Sequence, residues 1–158
     1  MKEIRLTKNK IAFVDDEDFE IINRYKWFAN WNGYGWYSGR KSYDCNGKKI
    51  TVYMHRMIMS APKYLHVDHK NGNSLDNRKE NLRLCTNQEN HYNIKNPLKT
   101  NKLGIKGVRL MKGRRKFSAA IRVCGKNKHL GYFNVLGDAD SAYRIAEEKY
   151  FGEFARNA

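Results

Sequence analysis

The chain has 158 residues, and its 31 Lys and Arg against 16 Asp and Glu leave a formal charge of +15. That balance points to a polyanionic partner rather than to an acidic or uncharged one. No apolar run approaches the length of a membrane span and no signal-peptide pattern opens the chain, so neither a membrane protein nor a secreted one is expected. Cys45, Cys85 and Cys124 are few, odd in number and lack C-x-x-C spacing, which excludes a Cys-based structural zinc and predicts buried free thiols in a reducing compartment.

In chain order, residues 1–60 read as a β-rich region with one short helix. Ile4–Thr7 and Ile11–Val14 are expected strands around a Lys8-Asn9-Lys10 turn, and Asp15 or Asp16 is placed to cap a helix carrying Phe19, Ile22 and Tyr25. Asn32-Gly33 predicts a two-residue hairpin with both turn residues at positive φ, and Asn46-Gly47 repeats the signal before Lys48–His55. Trp27, Phe28, Trp31, Tyr34, Trp36 and Tyr37 crowd the first hairpin. They suit sheet core and cross-strand pairing, and equally a surface lying along a nucleic acid with Arg40, Lys41, Lys48 and Lys49 on phosphates.

Met54–Met59 is apolar enough to begin a helix that stops near Pro62. Tyr64–Asp68 alternates as a strand should and leads to His69. Lys70–Asp76 is Asn- and Gly-rich, hence a loop, and Leu82-Arg83-Leu84 is the returning strand. Thr86-Asn87-Gln88-Glu89 has the form of a capping box and starts a helix at Asn87, with Asn90 about one turn in. The product is a strand-loop-strand-helix unit bearing an Asp-His pair and two spaced Asn residues. Those residue types suit hydrolysis of a phosphodiester. A neutral imidazole such as His69 takes a proton from water. Asp68 and Asn90 offer hard oxygen ligands for Mg²⁺ or Mn²⁺. Asn81 is a candidate to orient the imidazole.

The stretch V-D-H-K-N-G-N-S-L-D-N-R-K-E-N-L-R-L-C-T-N-Q-E-N, Val67–Asn90, resembles the signature of the HNH, or ββα-metal, endonucleases, in the branch where the last His is replaced by Asn. The likeness covers most of the chain and is closest to the phage-type homing endonucleases. It implies that Asp68 and Asn90 are metal ligands, that His69 is the general base, and that Asn81 supports the His69 loop. His55, in Met54-His55-Arg56, has a structural or phosphate-contacting place in that comparison, and His66 and His91 flank the motif.

After a polar segment that reads as a linker, Gly104–Arg109, Lys116–Val123 and Asn127–Phe133 are expected strands. A final helix, with Ala139, Ala142, Tyr143, Ala146 and Tyr150 on one face, stops at Gly152. From Asn90 to Gly137 there is no acid at all, against twelve Lys and Arg. The order of elements and the G-V-R, A-I-R and L-G-Y-F strings resemble the plant ethylene-response-factor DNA-binding domain. By that resemblance Arg109, Arg114, Arg115, Lys116, Phe117, Arg122, Lys128 and His129 are the DNA-facing residues. His129 and Val135 depart from the plant pattern, the second by removing a helix cap.

The expected fold class is therefore α+β: a β-rich region over 1–60, a central ββα-metal unit over 61–96, a linker over 97–103, and a three-stranded antiparallel sheet packed on one helix over 104–158. The expected function is a metal-dependent DNA endonuclease of the homing type. It would nick double-stranded DNA as a monomer, away from any membrane, in the cytoplasm of the bacterial host of a phage or other mobile element. The alternative is a non-catalytic, sequence-specific DNA-binding regulator that retains an idle HNH fold. An RNA-binding protein is disfavoured by the absence of an RNP-type aromatic pattern.

Overall fold

The computed structural model describes residues 1–92, 101–111, 113 and 115–155. The chain separates into two compact units, Met1–Asn87 and Gln88–Ala158, and the architecture is mixed α+β as expected, built of several small antiparallel sheets and four helices.

The first unit opens with a hairpin of β1 (Lys2–Arg5) and β2 (Ile11–Val14). Lys8 and Asn9 turn the chain with φ of 58° and 53°, the doubly left-handed geometry whose twist matches the flanking strands. Helix α1 (Asp16–Asn23) follows, with three acids in its first turn, where the helix dipole favours negative charge. Asp15 sits at the cap position, yet its carboxylate makes no capping bond; it accepts instead from the Lys79 amide at 2.7 Å. The helix start is thus tied to the segment that precedes Leu82.

A three-stranded sheet comes next: β3 (Phe28–Trp31), β4 (Trp36–Tyr43) and β5 (Lys49–Tyr53). Its first connection corrects the expectation of a two-residue turn. Four residues, 32–35, link the strands, and only Gly33 of the Asn-Gly pair has positive φ, 96°. Asn32 spends its side-chain oxygen on the Tyr34 and Gly35 amides, both at 3.0 Å, and so stays out of the left-handed region. Asp44 organises the second connection in the same way, accepting from Asn46 and Lys48 at 2.9 Å. Helix α2 (Met54–Ile58) begins at once after β5, so the expected strand through His55 ends two residues early.

The next hairpin is β6 (His66–His69) and β7 (Leu82–Cys85), joined through a short 3-10 turn at Lys79–Asn81. It belongs to the same unit as the β-rich region. Ile4, Leu6, Ala12, Val14, Ile22, Trp27, Ala29 and Met54 form one core, and Leu75 from the hairpin loop packs against it. Phe13 of β2 donates to the Leu75 carbonyl at 2.9 Å and accepts from the Asn77 amide at 2.8 Å, so the N-terminal hairpin braces the loop between β6 and β7.

Helix α3 (Asn87–Tyr92) starts where the cap signal put it, at the boundary of the second unit. Within that unit the sheet order is β10-β9-β8, made from β8 (Val108–Met111), β9 (Lys116–Val123) and β10 (Lys126–Phe133), and α4 (Leu136–Phe151) lies against it. Val108, Ala119, Ile121, Ala139, Tyr143, Ala146 and Phe151 are its core. Tyr150 packs half-buried against it, as expected, and Phe151 beside it is buried. Gly107, at φ 74°, lets the Tyr143 ring approach so closely that a Cβ there would lie 2.0 Å from Cε2. Val135 caps nothing with its side chain, and Gly152 ends α4 at φ 51°. The thiols depart from expectation: only Cys85 is buried, whereas Cys45 and Cys124 sit exposed in connections between strands.

Candidate active site

Asp68 and His69 are consecutive on β6, so their side chains leave opposite faces of the strand. Both are buried, at 6% and 5% exposure. Asp68 is the register partner of Arg83 across the hairpin. Arg83 donates to Asp68 Oδ2 twice, from Nε at 2.8 Å and from an Nη at 2.7 Å. A buried carboxylate needs such a partner to stay charged.

His69 meets two other rings. It meets His55 edge to face at 5.2 Å and Tyr37 at 6.1 Å, and Tyr53 stacks on His55 at 5.6 Å. Burial pushes the His69 imidazole below its ordinary value of 6.5. A hydrogen bond with the Asn77 side chain and the negative charges of Asp68 and Asp76 pull the other way. Desolvation wins, so the imidazole is neutral, the form a proton acceptor needs.

The loop behind His69 is held as a rigid piece. Asn81 accepts from the Asn71 amide at 2.9 Å and donates to the Asp76 carbonyl at 2.8 Å. Its own carbonyl accepts from Lys70 N at 2.9 Å. Asp76 receives two bonds from Arg78, each at 2.8 Å, and one from Asn71 at 2.9 Å. The Arg78 guanidinium holds the Asp76 carboxyl below the usual carboxylate range. These bonds of Asn81 go to the loop, while Asn77, fully buried, is the amide beside the imidazole.

Asn90 lies on α3, which the second unit holds firmly at its end. Tyr92 stacks on Phe151 at 3.8 Å, and Lys106 bridges the Tyr92 carbonyl at 2.9 Å and buried Glu147 at 2.8 Å. His66 and His91, the flanking histidines, are exposed. Among the described residues, no three or more His, Cys, Asp and Glu cluster as a metal centre. The expected oxygen donors, one carboxylate and one amide, are too sparse to make such a cluster.

In the second unit, strand alternation sorts the expected DNA-facing residues by face. Arg109 pairs with Ser118, Met111 with Lys116, and His129 with Ala120, so Arg109, Lys116, Arg122 and His129 share the face turned away from α4. Phe117 packs with the core beneath the sheet, and Lys128 lies with its ammonium 4.3 Å over the Tyr150 ring on the helix side. Arg115 is exposed in the β8–β9 connection at φ 45°, and Arg114 lies outside the described residues.

Sequence reasoning missed the parts played by Arg83, Asn77 and Tyr37. Arg83 was visible in principle: opposite charges two residues inside each end of a short hairpin pair across it. Asn77 and Tyr37 carried no local signal, because their approach to His69 depends on how the loop and the sheet pack.

An Asp-His pair on the first strand of a short hairpin, with an Asn bracing its loop, is the arrangement expected of a ββα nuclease. Residues 52–92 match the HNH endonuclease family. The chain is 29% identical over 150 residues to a protein named "Uncharacterized HNH endonuclease L560" of Acanthamoeba polyphaga mimivirus, covering 94% of this chain and 74% of that one. It is 35% identical over 95 residues to "Protein 3.8" of Escherichia phage T7, covering 60% of this chain and 77% of that one. Residues 52–92 form an HNH endonuclease family domain, and the chain is a DNA nuclease. No solved structure matches it. Among the described residues, no helix is long and apolar enough to cross a membrane.

Proposed function

We propose that this nuclease is a metal-dependent, homing-type enzyme that nicks double-stranded DNA, acting as a monomer and hydrolysing a phosphodiester with His69 as the general base. The observation that carries this reading is the neutral, buried His69 imidazole directly beside Asp68. His69 accepts the proton of the attacking water. Asn77 and the charges of Asp68 and Asp76 offset part of the cost of burying the imidazolium that results. Asn81 and Asp76 keep the loop, and with it the ring, from moving during that transfer.

The donor set fits a hard divalent cation. A carboxylate from Asp68 and an amide oxygen from Asn90 suit Mg²⁺ or Mn²⁺ with water and phosphate completing the shell. Asp68 and Asn90 would hold the cation, which would supply neutralisation of charge on the phosphate and on the leaving oxygen. Arg83 donates to the Asp68 carboxylate, fixing it and offsetting its negative charge. The C-terminal sheet is the holding element, resembling the ethylene-response-factor domain. Arg109, Lys116, Arg122 and His129 form one polar face for the duplex, within a segment that has no acid from Asn90 to Gly137. Phe117 and Lys128 support the sheet from behind.

The test is incubation with supercoiled plasmid and Mg²⁺, with and without chelator, followed by mapping of the ends. Accumulation of open circles that chelator prevents, with breaks at recurrent positions, fits the proposal. Cleavage that continues in chelator, or equal cleavage of RNA, contradicts it.

A further inference from the structure

The first unit contains a second buried histidine that the proposed reaction does not use. His55 is 7% exposed, and its Nδ1 has no hydrogen-bond partner among the described residues. It stands at the start of α2, directly after β5. A polar ring in such a place needs a reason, because a buried unpaired nitrogen is costly.

Its surroundings supply one. The ring is stacked on Tyr53 at 5.6 Å with an interplanar angle of 24°. Tyr37 meets it edge-on at 5.6 Å, and also meets Tyr53 and His69, each at 6.1 Å. His55 in turn presents to His69 at 5.2 Å and 74°. Tyr53 is itself pinned, since its hydroxyl accepts from Asn30 Nδ2 at 3.0 Å. Four rings from β4, β5, α2 and β6 therefore touch one another in a closed group, and three of them have no part in taking a proton. Burial lowers the His55 imidazole to about 3, which leaves it uncharged and able to pack against another neutral ring.

We propose that His55 is a positioning residue for the nuclease reaction: braced by Tyr53 and Tyr37, its ring fixes the His69 imidazole at the angle needed to reach water. This rests on His69 being the base. The contact is between rings, so the ring matters and the nitrogen does not. The β-rich region is then more than a scaffold, because it supplies the surface that sets the base.

The experiment compares kcat and KM for plasmid nicking in wild type, His55→Phe, His55→Gln, Tyr53→Leu and His69→Ala, each checked for folding by circular dichroism. A misplaced catalytic group costs rate far more than binding. His55→Gln should lower kcat about tenfold or more with KM within about twofold, and His55→Phe should stay within about threefold of wild type. Tyr53→Leu, which removes the brace and leaves both histidines, should also lower kcat at unchanged KM. If His55→Gln does not fold, Tyr53→Leu decides. Wild-type kcat in His55→Gln and Tyr53→Leu beside an inactive His69→Ala overturns the positioning role alone. Equal damage in His55→Phe and His55→Gln overturns it as well, since the ring would then not suffice. Undiminished cutting by His69→Ala overturns the assignment of the base and the proposal with it.

Discussion

His55 and His69 are both kept uncharged by burial, and that has a consequence for stability as well as for chemistry. His55 has an ordinary value of 6.5 and a folded value of about 3. Between those two values the unfolded chain binds a proton that the folded chain refuses, so stability rises with pH across that window. It is complete above about 6.5 and lost progressively as pH falls toward 3. Urea midpoints measured at pH 7 and pH 4.5 should therefore separate in wild type and draw together in His55→Phe. Equal separation in the two proteins would contradict the buried neutral state of His55. Asp76 is also held low, though by bonds from the charged Arg78 and not by burial. Its stabilising contribution is present above the ordinary carboxylate value and is lost as pH falls through the folded one. Asp76→Ala removes the acceptor for Arg78 and Asn71. It should cost about 1–3 kcal/mol of stability and slow cleavage by loosening the loop behind His69. Chemical unfolding gives the first quantity and plasmid nicking the second; a variant as stable and active as wild type would show that the loop does not depend on Asp76.

At the scale of elements, turn and cap chemistry was legible and packing was not. The Lys8-Asn9 turn, the β6–β7 hairpin and the start of α3 at Asn87 follow from local residue preferences, and the structure has them where those preferences put them. Asn32-Gly33 misled because an Asn beside Gly has two uses. It can adopt positive φ itself, or it can cap the next amides with its side chain, and nothing local says which. The Asp-His pair with its spaced Asn residues marked the site, yet Asn77, Arg83 and His55 reach it only through pairing and packing across the unit. In the second unit the closest fit is at Gly107. Adding one methyl there drives Cβ into the Tyr143 ring and also strains a backbone at φ 74°. Gly107→Ala should destabilise this unit by about 2–4 kcal/mol, measured by thermal or urea unfolding. A change under half a kcal/mol would mean that the ring can swing away freely.

At the scale of the whole molecule, the proposed function separates cutting from holding and gives the second unit a hand in both. Its outer sheet face bears Arg109, Lys116, Arg122 and His129, while its core holds the end of α3 through Tyr92, Phe151, Lys106 and Glu147. On the proposed reading the intact protein binds duplex DNA with an affinity that falls steeply with salt, by about 0.9 in log slope for each phosphate contacted. Arg109→Ala or Arg122→Ala should cost roughly 1–3 kcal/mol and relax sequence preference if the residue reads a base edge. Competition binding at two salt concentrations checks both points, and unchanged affinity in the two variants would move the holding face elsewhere. Deleting residues 104–158 removes the partners of Tyr92 along with the sheet. It should then abolish nicking and not merely its direction, because Asn90 loses the support of its helix. The central claim, that His69 takes the proton from water and is not there to hold DNA, is tested most directly by measuring nicking rate and duplex affinity together in His69→Ala. The account predicts that nicking falls by about 10²- to 10⁴-fold while the affinity stays within about twofold of wild type. A variant that nicks within a few-fold of wild type, or that loses activity only in proportion to lost binding, would contradict it.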